Sequence, residues 1–315
     1  MELKRKKICG LKESKMRHSL GYNRVIDSNL SGLFYGLSDK GKKCAYREEI
    51  IIIDKKKAKV VILCGGIGTR IREETEFKPK PLVNVGSRPI IWHIMKIYSS
   101  FGFNEFVLCL GYKGELIKEY FYKYEILNND FTIALGNHDD IQIHNKHSEA
   151  GWKITMVDTG IESLKGARLK RIERYIDSDI FMVTYGDGVS NVDINRLIDF
   201  HKSHGKIATI TGVHPPSRFG ELLIEDQEVK TFSEKPQTSY GHINGGFFVF
   251  NKNLLDLLEE KEECDLEYGI LEELANKGEL RMYEHSGFWQ CMDNLRDMEL
   301  LNKLWNSGNA PWKVW

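Results

Sequence analysis

The stretch VVILCGGIGTR, Val60 to Arg70, joins an apolar run to a loop that holds three glycines, a threonine and an arginine. An apolar run that ends at glycines predicts a buried strand followed by a tight turn, whose exposed N–H groups can bind phosphate. The stretch is not a G-x-G-x-x-G fingerprint, because Ile71 stands at the last glycine position, and it lacks the Gly-Lys-Ser/Thr of a P-loop. Further cations follow in KPKPL around Lys80, so we expect a polyphosphate site.

Outward from this loop, apolar runs alternate with helical patterns. Strands are predicted at KVVILC, NEFVLCLG, WKITMVD, DIFMVTYGD and KIATITGV, and helices at 88–102, 112–124, 169–176 and 193–203. Such alternation predicts an α/β fold with a mostly parallel, Rossmann-like sheet covered on both faces. After residue 216 the pattern changes to short extended pieces with helices near 254–260, 268–277 and 295–306. We therefore expect a nucleotide-binding half at 58–215 and a smaller substrate-binding part at 216–315 that share one sheet.

Composition and cysteine use exclude several classes of protein. The chain has 315 residues, of which 41% are hydrophobic and 29% charged, an ordinary globular balance. It has no apolar run of membrane-spanning length, and its basic N-terminus is not followed by the apolar core of a signal peptide, so we expect a cytoplasmic protein. The six cysteines include no Cys-x-x-Cys pair, which favours reduced thiols over a zinc or redox site.

The charge is distributed unevenly along the chain. Residues 1–57 hold 15 basic and 7 acidic residues, whereas the rest holds 30 and 38. A basic segment can bind nucleic acid or a membrane surface, but this one is rich in Gly, Ser and Asn and is expected to be a loosely ordered extension. An alternative is that translation begins near Ile53. The acidic remainder lacks an aromatic and basic stripe, so we expect no nucleic-acid partner.

The loop and the blocks after it resemble the sugar-1-phosphate nucleotidyltransferases. GGIGTR is followed by KPKPLVNVGSRPIIWHIMKIY, and later blocks keep the order of that family: LGYKG, TYGDGVSNVDI, HPPSRFG, SEKP, NGGFFVF, GFWQCMDNLRD and the ending APWKVW. The resemblance runs from about residue 58 to the C-terminus. It implies a GT-A-like nucleotidyltransferase fold, with the sugar bound by the 216–315 part, and transfer of a cytidylyl group from CTP to α-D-glucose 1-phosphate, giving CDP-glucose and pyrophosphate.

This reaction brings several negative charges into one small volume. Two unit charges 4 Å apart interact by about 4 kcal/mol at an effective dielectric near 20. In-line attack at the α-phosphorus is therefore expected to rest on positioning and fixed positive charge, with no covalent enzyme nucleophile.

The resemblance implies catalytic roles for a small set of charged residues. Arg70 would stabilise the leaving pyrophosphate, Lys80 the charge near the transferring phosphorus, and Lys235 the sugar phosphate. Asp187 follows a predicted strand and is paired by the resemblance with Asp293, and two carboxylates plus substrate phosphates are a usual Mg²⁺ site. In isolation, Asp187 could equally be a turn residue and Asp293 a helix N-cap.

The resemblance also implies two sets of binding residues. The nucleotide-binding positions are Leu63, Gly65, Gly66, Gly68, Thr69, Arg70, Lys80, Gly111, Tyr112 and Arg168. The sugar-phosphate positions are Glu234, Lys235, Asn244, Gly245 and Gly246, where glycine would let main-chain groups approach the sugar.

The chain departs from the family pattern in three places. LKGAR places Lys165 and Ala167 where the family has threonine and glycine, which leaves uridylyl or thymidylyl transfer open as an alternative. His242 stands where the family has tryptophan, at a wall of the sugar pocket. LEYGILEEL, residues 266–274, replaces a Trp-Glu and Glu-Pro pattern but keeps Glu267. These departures also motivate a second alternative, a catalytically silent paralogue that binds sugar nucleotide and regulates an active partner.

Two further segments have open interpretations. NHDDIQIHNKH, residues 137–147, contains metal-binding residue types, but their spacing fits no zinc motif and favours a polar excursion between strands. The resemblance implies a homo-oligomer that supplies CDP-glucose for CDP-linked deoxysugars of surface polysaccharide. Trp305, Trp312 and Trp315 would then pack either across a subunit interface or within the chain.

Overall fold

The computed structural model describes residues 54–55, 57–68, 75–136, 140–145, 147–214, 228–231 and 241–315 in full, and the backbone alone of 5–6, 33–37, 43–48, 221–225 and 232–233. The strands are β1 Arg5–Lys6, β2 Leu33–Leu37, β3 Lys43–Glu48, β4 Lys59–Leu63, β5 Asn84–Val85, β6 Arg88–Pro89, β7 Glu105–Leu110, β8 Phe131–Ile133, β9 Ile141–Ile143, β10 Lys153–Asp158, β11 Ile180–Tyr185, β12 Gly188–Ser190, β13 Ala208–Val213, β14 Glu221–Glu225, β15 Glu228–Ser233, β16 Ile243–Asn244, β17 Phe248–Asn251, β18 Leu280–His285 and β19 Trp289–Cys291. The α-helices are α1 Ile90–Ser100, α2 Gly114–Tyr122, α3 Tyr124–Asn128, α4 Lys165–Arg171, α5 Ile194–His204, α6 Glu272–Asn276 and α7 Leu295–Asn306. Short 3₁₀ helices span Lys80–Leu82, Glu173–Tyr175 and Lys252–Leu257.

The central sheet has the order β10-β7-β4-β11-β17-β13-β16, with β18 also beside β13. The pairs β10–β7, β7–β4, β4–β11 and β13–β18 are parallel, whereas β17 pairs antiparallel with both β11 and β13. This mixed, mostly parallel sheet confirms the predicted α/β class. Because β17 lies between β11 and β13, the parts of the chain before and after residue 216 share one sheet.

Apolar residues cover both faces of the sheet, as the continuous apolar runs predict. Successive side chains of β4 point to opposite faces, so Val60 and Ile62 pack with Ile94 of α1 while Val61 packs with Leu169 of α4. All five side chains are fully buried, and burial of each is worth roughly 1.5–3 kcal/mol. This two-sided core fixes the positions of the strand ends at which the candidate site lies.

Helix boundaries agree best with prediction where a local cap specifies them. Helix α7 covers 295–306 as predicted, because Asn294 and Asp297 form a reciprocal capping box at its N-terminus. Helix α5 begins after Asp193, whose side chain accepts a hydrogen bond from the Arg196 N–H. Local sequence signals are therefore sufficient for these two helices.

Three helix predictions needed correction, and tertiary contacts explain them. Helix α4 begins at Lys165, four residues before the predicted start, because the Ala167 N–H donates to the Cys264 carbonyl and docks this first turn. The predicted 254–260 helix is a 3₁₀ helix at Lys252–Leu257. The predicted 268–277 helix is broken at Gly269, whose φ of 114° is not helical, so α6 begins only at Glu272.

The aromatic C-terminus packs within the chain. Trp312 is fully buried, and its indole N–H donates to His93 Nδ1 while His93 Nε2 contacts the Val85 carbonyl. Burial lowers the pKa of His93 to about 4, so this ring is neutral and serves as a packing centre. Trp305 and Trp315 also contact the His93 ring. Of the two interpretations of these tryptophans, the described contacts are those of the intramolecular clasp.

The N-terminal extension contributes β1, β2 and β3, which pair antiparallel in the order β1-β3-β2. The rest of residues 1–53 lies outside the described residues, so loose order of this segment stays a prediction. Where the structure describes cysteines, namely Cys64, Cys109, Cys264 and Cys291, they are free thiols. No helix of the described chain is long and apolar enough to span a bilayer.

Candidate active site

Three of the predicted catalytic and metal-binding residues meet at one point. The Lys80 Nζ lies 2.6 Å from Asp187 Oδ2 and 2.6 Å from Asp293 Oδ1. All three side chains are mostly buried, with exposed fractions between 13% and 30%. Because they are candidates for catalysis, we call these three residues the catalytic centre.

Strand pairing explains how Asp187 and Asp293 meet although they are far apart in sequence. Asp187 lies between β11 and β12, and β12 pairs antiparallel with β19 from Gly188 and Cys291 onwards. The Met292 N–H continues the ladder by donating to the Asp187 carbonyl at 2.9 Å. The two aspartates therefore lie at the same end of this ladder.

Lys80 approaches the two aspartates from the KPKPL segment, ten residues after the opening motif. It begins the 3₁₀ helix Lys80–Leu82, where Pro79 and Pro81 restrict the backbone. Pro81 is buried, so the turn is anchored in the core and only the Lys80 side chain extends to the centre. The KPKPL sequence thus holds the Lys80 ammonium group on a rigid turn.

The charges of the catalytic centre are mutually dependent. Burial alone would lower the pKa of Lys80, but the two carboxylates outweigh it and raise the pKa above its ordinary value of 10.5. Lys80 is therefore a fixed positive charge at neutral pH. The two carboxylate oxygens, each 2.6 Å from the same nitrogen, converge on one position that holds a cation. Oxygen donors of this kind suit a hard divalent metal.

The N-cap interpretation of Asp293 is wrong, whereas the turn interpretation of Asp187 is correct but incomplete. The N-cap of α7 is Asn294, and Asp297 accepts from the N–H groups of both Asp293 and Asn294. The Asp293 side chain is not the cap and points to Lys80. Asp187 does follow a strand, but its carboxylate forms an ion pair and so it is more than a turn residue.

Cys291 is a neighbour of the centre that the sequence gave no reason to select. Its thiol donates to Asp293 Oδ2 at 3.6 Å. Burial, and then the negative charge of Asp293, raises the pKa of this thiol to about 12, so it stays a neutral donor. No motif spacing marks such a residue, because the contact depends on the turn after β19.

The predicted nucleotide-binding loop lies on a buried arginine. Arg168 is 4% exposed, and its guanidinium donates to the carbonyls of Gly65, Leu110 and Gly160 at 3.2, 3.1 and 2.7 Å. A Cβ at Gly65 would lie 2.0 Å from Arg168 Nη1, so a larger residue would displace the guanidinium from its carbonyl partners. The structure thus places Arg168 as a support that fixes the main chain of the loop.

The remaining loop positions are partly within the described residues. The Tyr112 N–H donates to the Gly65 carbonyl at 3.3 Å, which joins the predicted Gly111-Tyr112 turn to the loop after Leu63. Gly66 is exposed, and a Cβ there would meet nothing within 4 Å, so its main chain is open to a ligand. Gly68 has a φ of 69°, which favours glycine. Thr69 and Arg70 lie outside the described residues, and their roles stay predictions.

A second polar network lies beside the catalytic centre, and we call it the sugar-side network because it contains Asn244, which is predicted to bind the sugar. Asn244 Nδ2 donates to the Tyr185 hydroxyl at 2.8 Å, and this hydroxyl donates to Glu267 Oε1 at 2.6 Å. Lys165 Nζ lies 2.6 Å from the same Glu267 oxygen. Tyr185 ends β11 two residues before Asp187, so the network borders the centre.

One oxygen of Glu267 has no partner among the described residues. Its Oε2 is buried and has no hydrogen-bond partner within the part of the chain that the structure describes. Burial, followed by the charge of Glu267, raises the pKa of Tyr185, so the tyrosine stays a neutral donor to Oε1. A buried acceptor without a partner is costly, and a bound hydroxyl group would satisfy it.

The Asn244-Gly245-Gly246 turn is fixed by packing. Gly245 and Gly246 are buried, and added Cβ atoms would lie 2.6 Å from Val213 and 3.0 Å from Tyr185. These packing contacts favour glycine at both positions, and the expected close approach of their main chain to a sugar stays a prediction. Asn244 is the predicted sugar-binding residue whose side chain joins the sugar-side network. Glu234 and Lys235 lie outside the described residues.

The three departures from the family pattern occupy different surroundings. Lys165 contacts Glu267, and its ammonium lies 5.7 Å from the centre of the Tyr185 ring, so this change belongs to the sugar side. Ala167 is fully buried. His242 lies at the surface beside His214, with ring centroids 4.3 Å apart.

The polar excursion at 137–147 is only partly described. His147 Nε2 lies 2.9 Å from Glu125, and Nδ1 lies 3.2 Å from Glu149. The two nitrogens of one ring thus face different carboxylates, and these contacts hold the His147 ring in place without a metal. Residues 137–139 and Lys146 lie outside the described residues.

The fold, the loop and the paired carboxylates on a lysine are the features expected of a nucleotide-transferring site, and the sequence comparison gives the family. The profile of the nucleotidyl transferase family matches residues 59–297, so the chain belongs to the nucleotidyl transferase family. Two curated relatives are much more specific. The chain is 50% identical over 258 residues to the glucose-1-phosphate cytidylyltransferase of Salmonella typhi, which covers 82% of this chain and 99% of the relative. It is 46% identical to the probable glucose-1-phosphate cytidylyltransferase of Bacillus subtilis, over 82% of this chain and 100% of the relative.

Solved structures support the fold. The crystal structure of HddC from Yersinia pseudotuberculosis aligns with a TM-score of 0.59 at 21% identity, covering 79% of this chain and 99% of that one. A putative glucose-1-phosphate thymidylyltransferase from Bacillus anthracis aligns with a TM-score of 0.57 at 19% identity, covering 78% and 94%. At these identities the likeness concerns architecture alone.

Proposed function

We propose that this chain transfers a cytidylyl group from CTP to α-D-glucose 1-phosphate, with CDP-glucose and pyrophosphate as products. The observation that carries the proposal is the catalytic centre, in which Lys80 bridges Asp187 and Asp293 at 2.6 Å. Two relatives at 46–50% identity that span almost their whole length are named for this activity, which supports CTP and glucose 1-phosphate as the substrates.

Asp187 and Asp293 would hold Mg²⁺ between them and the substrate phosphates. When bound, the metal would reduce the negative charge at the reacting phosphate. Lys80 would remain protonated, because its pKa is raised, and would neutralise charge that develops around the α-phosphorus. Cys291 would keep the Asp293 carboxylate in position through its thiol donor. Arg70 and Lys235 are the further cations predicted for the pyrophosphate and the sugar phosphate.

The sugar-side network would bind the glucose ring. Glu267 Oε2, the buried acceptor without a described partner, suits a sugar hydroxyl, and Asn244 is already oriented by Tyr185 and by the Gly246 N–H. Lys165 holds the other Glu267 oxygen. The Lys165 departure from the family pattern would therefore affect the sugar more than the nucleotide base.

The nucleotide base would be read mainly by main-chain groups. Leu63 to Gly66 and the Gly111-Tyr112 turn form one unit on Arg168, with the Gly65 carbonyl bound to both Arg168 and Tyr112. Thr69 is predicted to extend the phosphate contacts of Gly68. The proposed role of Arg168 is to keep this unit rigid.

The proposed reaction places the chain in the cytoplasm, where CTP is made, as a source of CDP-glucose for CDP-linked deoxysugars of surface polysaccharide.

We also propose a homo-oligomer. Exposed apolar side chains gather in the described parts of the segment 122–143, which are 122–136 and 140–143: Tyr122, Leu127, Phe131, Ile133, Leu135 and Ile141. Such a patch is typical of protein interfaces. Light scattering should show a larger assembly for the wild type than for Leu135→Asp, whereas Val229→Asp, at an exposed apolar residue elsewhere, should leave the mass unchanged.

Pyrophosphate release by the purified chain tests the reaction. We expect turnover with glucose 1-phosphate, Mg²⁺ and CTP, and little with UTP, dTTP or ATP. Turnover with UTP or dTTP alone would replace the cytidylyl assignment by the uridylyl or thymidylyl alternative. A folded chain that binds nucleotide but is silent with all four would instead be the regulatory paralogue. The intact catalytic centre argues against that last outcome.

A further inference from the structure

We propose that His214, His242 and Glu284 form a binding site for a transition-metal dication of the Zn²⁺ type, separate from the catalytic centre. The candidate ligand atoms, one per residue, all lie within 4.8 Å of one another. His242 Nε2 is 3.5 Å from Glu284 Oε1, and the two imidazole rings are 4.3 Å apart at their centroids. The proposal does not depend on which nucleotide or sugar the enzyme uses.

The sheet brings the three residues together. His214 directly follows β13, and His242 directly precedes β16, which pairs antiparallel with β13 through Val213 and Ile243. Glu284 lies on β18, which pairs parallel with β13 on its other side. Three segments that are far apart in sequence thus converge at one end of β13.

Gly212 makes this approach possible across the middle strand. Gly212 is paired with Asn244 on one side and with Glu284 on the other, so it separates the two flanking strands. A Cβ at this position would lie 3.4 Å from the His242 Cβ and 2.4 Å from the Met282 sulfur. Because glycine leaves this space open, side chains from β18 and from the residue before β16 can meet over it.

The donor set selects the class of metal. Two imidazoles and one carboxylate are ligands of zinc and related transition metals, and three protein ligands leave a fourth position for water. Ligand atoms about 2.0–2.2 Å from a tetrahedral ion lie about 3.4 Å from one another. Side-chain rotations that move the ligand atoms by about an ångström would therefore bring them to binding distance. Mg²⁺ prefers oxygen ligands and is not expected to compete.

The site has a physical consequence for the sugar side. Strand β16 is only two residues long, and it carries Asn244 two residues after His242. A metal that ties His242 to His214 and Glu284 would cross-link the ends of three neighbouring strands. It would therefore restrict the segment that presents Asn244 to Tyr185.

Zinc binding to the full chain, stripped with a chelator and held in excess Mg²⁺, tests the proposal. Equilibrium dialysis should show one Zn²⁺ per chain. His242→Ala and Glu284→Gln should each weaken binding at least about tenfold, since even residues behind a metal ligand contribute that much. His144→Ala, at an exposed histidine outside the cluster, should bind as the wild type does. Co²⁺ in place of Zn²⁺ should give visible absorption bands in the wild type that His242→Ala lacks.

Three outcomes would overturn the proposal. Wild type that binds no Zn²⁺ would leave the cluster as a histidine–glutamate contact beside a second, tilted imidazole ring. Equal binding by wild type, His242→Ala and Glu284→Gln would place the metal elsewhere, and loss of binding in Asp293→Asn alone would assign it to the catalytic centre. Circular dichroism and thermal melting of each variant identify any loss that results from unfolding.

Discussion

The catalytic centre and the sugar-side network are both lysine–carboxylate clusters, but they are built in opposite ways. In the centre, one lysine serves two carboxylates, so the cluster has negative charge left for a second cation. In the network, one glutamate oxygen serves both Lys165 and Tyr185, and the other oxygen has no described partner. The first arrangement is suited to charge stabilisation and the second to recognition of a neutral hydroxyl. Substitutions in the centre should therefore lower kcat, whereas substitutions in the network should raise the KM for glucose 1-phosphate.

The largest effect is expected at the catalytic centre. Asp187→Asn removes half of the negative charge that would hold the metal, and loss of one preorganised electrostatic group commonly costs on the order of 10²- to 10³-fold in kcat. Steady-state pyrophosphate release measures this change. The KM for glucose 1-phosphate should change little, because Asp187 is not part of the sugar-side network.

Asp193→Asn is the matched control for that substitution. Asparagine caps a helix about as well as aspartate, so this variant should keep both activity and stability. A loss of kcat in Asp193→Asn as large as that in Asp187→Asn would show that the assay reports general damage, and full activity in Asp187→Asn would remove it from the centre.

Glu267→Gln should act mainly on the sugar. A hydrogen bond to a charged group is worth about 1.5–3 kcal/mol, so the KM for glucose 1-phosphate should rise roughly ten- to a hundredfold. The kcat at saturating sugar should fall much less. Glu273→Gln, an exposed glutamate on the neighbouring helix α6, is the control and should leave KM unchanged. A fall in kcat with constant KM would place Glu267 in the chemistry instead.

Lys165→Thr should have a smaller effect of the same kind. Lys165 is 43% exposed, and an ion pair of this exposure contributes about 0–1 kcal/mol. We expect at most about a fivefold rise in the KM for glucose 1-phosphate and no change in the preference for CTP. A change in nucleotide preference measured with the four-nucleotide panel would return this residue to the base-binding side.

The smallest expected effect is the pH dependence of the stability that the ion pairs of Lys80 contribute. The folded-state pKa of Lys80 is raised above 10.5, so its ion pairs stabilise the fold fully below pH 10.5, and this stabilisation is lost as the pH rises through the folded pKa. Urea unfolding of wild type and Lys80→Met should therefore differ by a constant free energy from pH 7 to about pH 10. A difference that disappears already near pH 8 would contradict the raised pKa.

The parts of the molecule that sequence reasoning predicted are those with local signals. Apolar runs predicted strands β4, β7, β10, β11 and β13 of the central sheet but not β18, the KPKPL turn pointed to Lys80, and the strand end pointed to Asp187. Pairing Asp187 with Asp293 came from the family resemblance, since residues this far apart in sequence meet only through the β12–β19 ladder.

The remaining features depend on contacts between distant segments. Glu267 lies just before the helix break at Gly269, and its partner Lys165 begins a helix whose first turn is docked on the Cys264 carbonyl. The resemblance implies a nucleotide-binding role for Arg168, and the structure shows its guanidinium buried under the loop, where it binds the Gly65 carbonyl. The His242 departure acquires a meaning only when the sheet places it next to His214 and Glu284.

The most direct test of the account is the Mg²⁺ dependence of pyrophosphate release from CTP and glucose 1-phosphate, compared between the wild type and Asp293→Asn. If Asp187 and Asp293 hold the metal together, the Mg²⁺ concentration for half-maximal rate should rise at least about tenfold in the variant, with part of the activity recovered at high Mg²⁺. An unchanged Mg²⁺ dependence in a folded variant would contradict the paired-carboxylate centre.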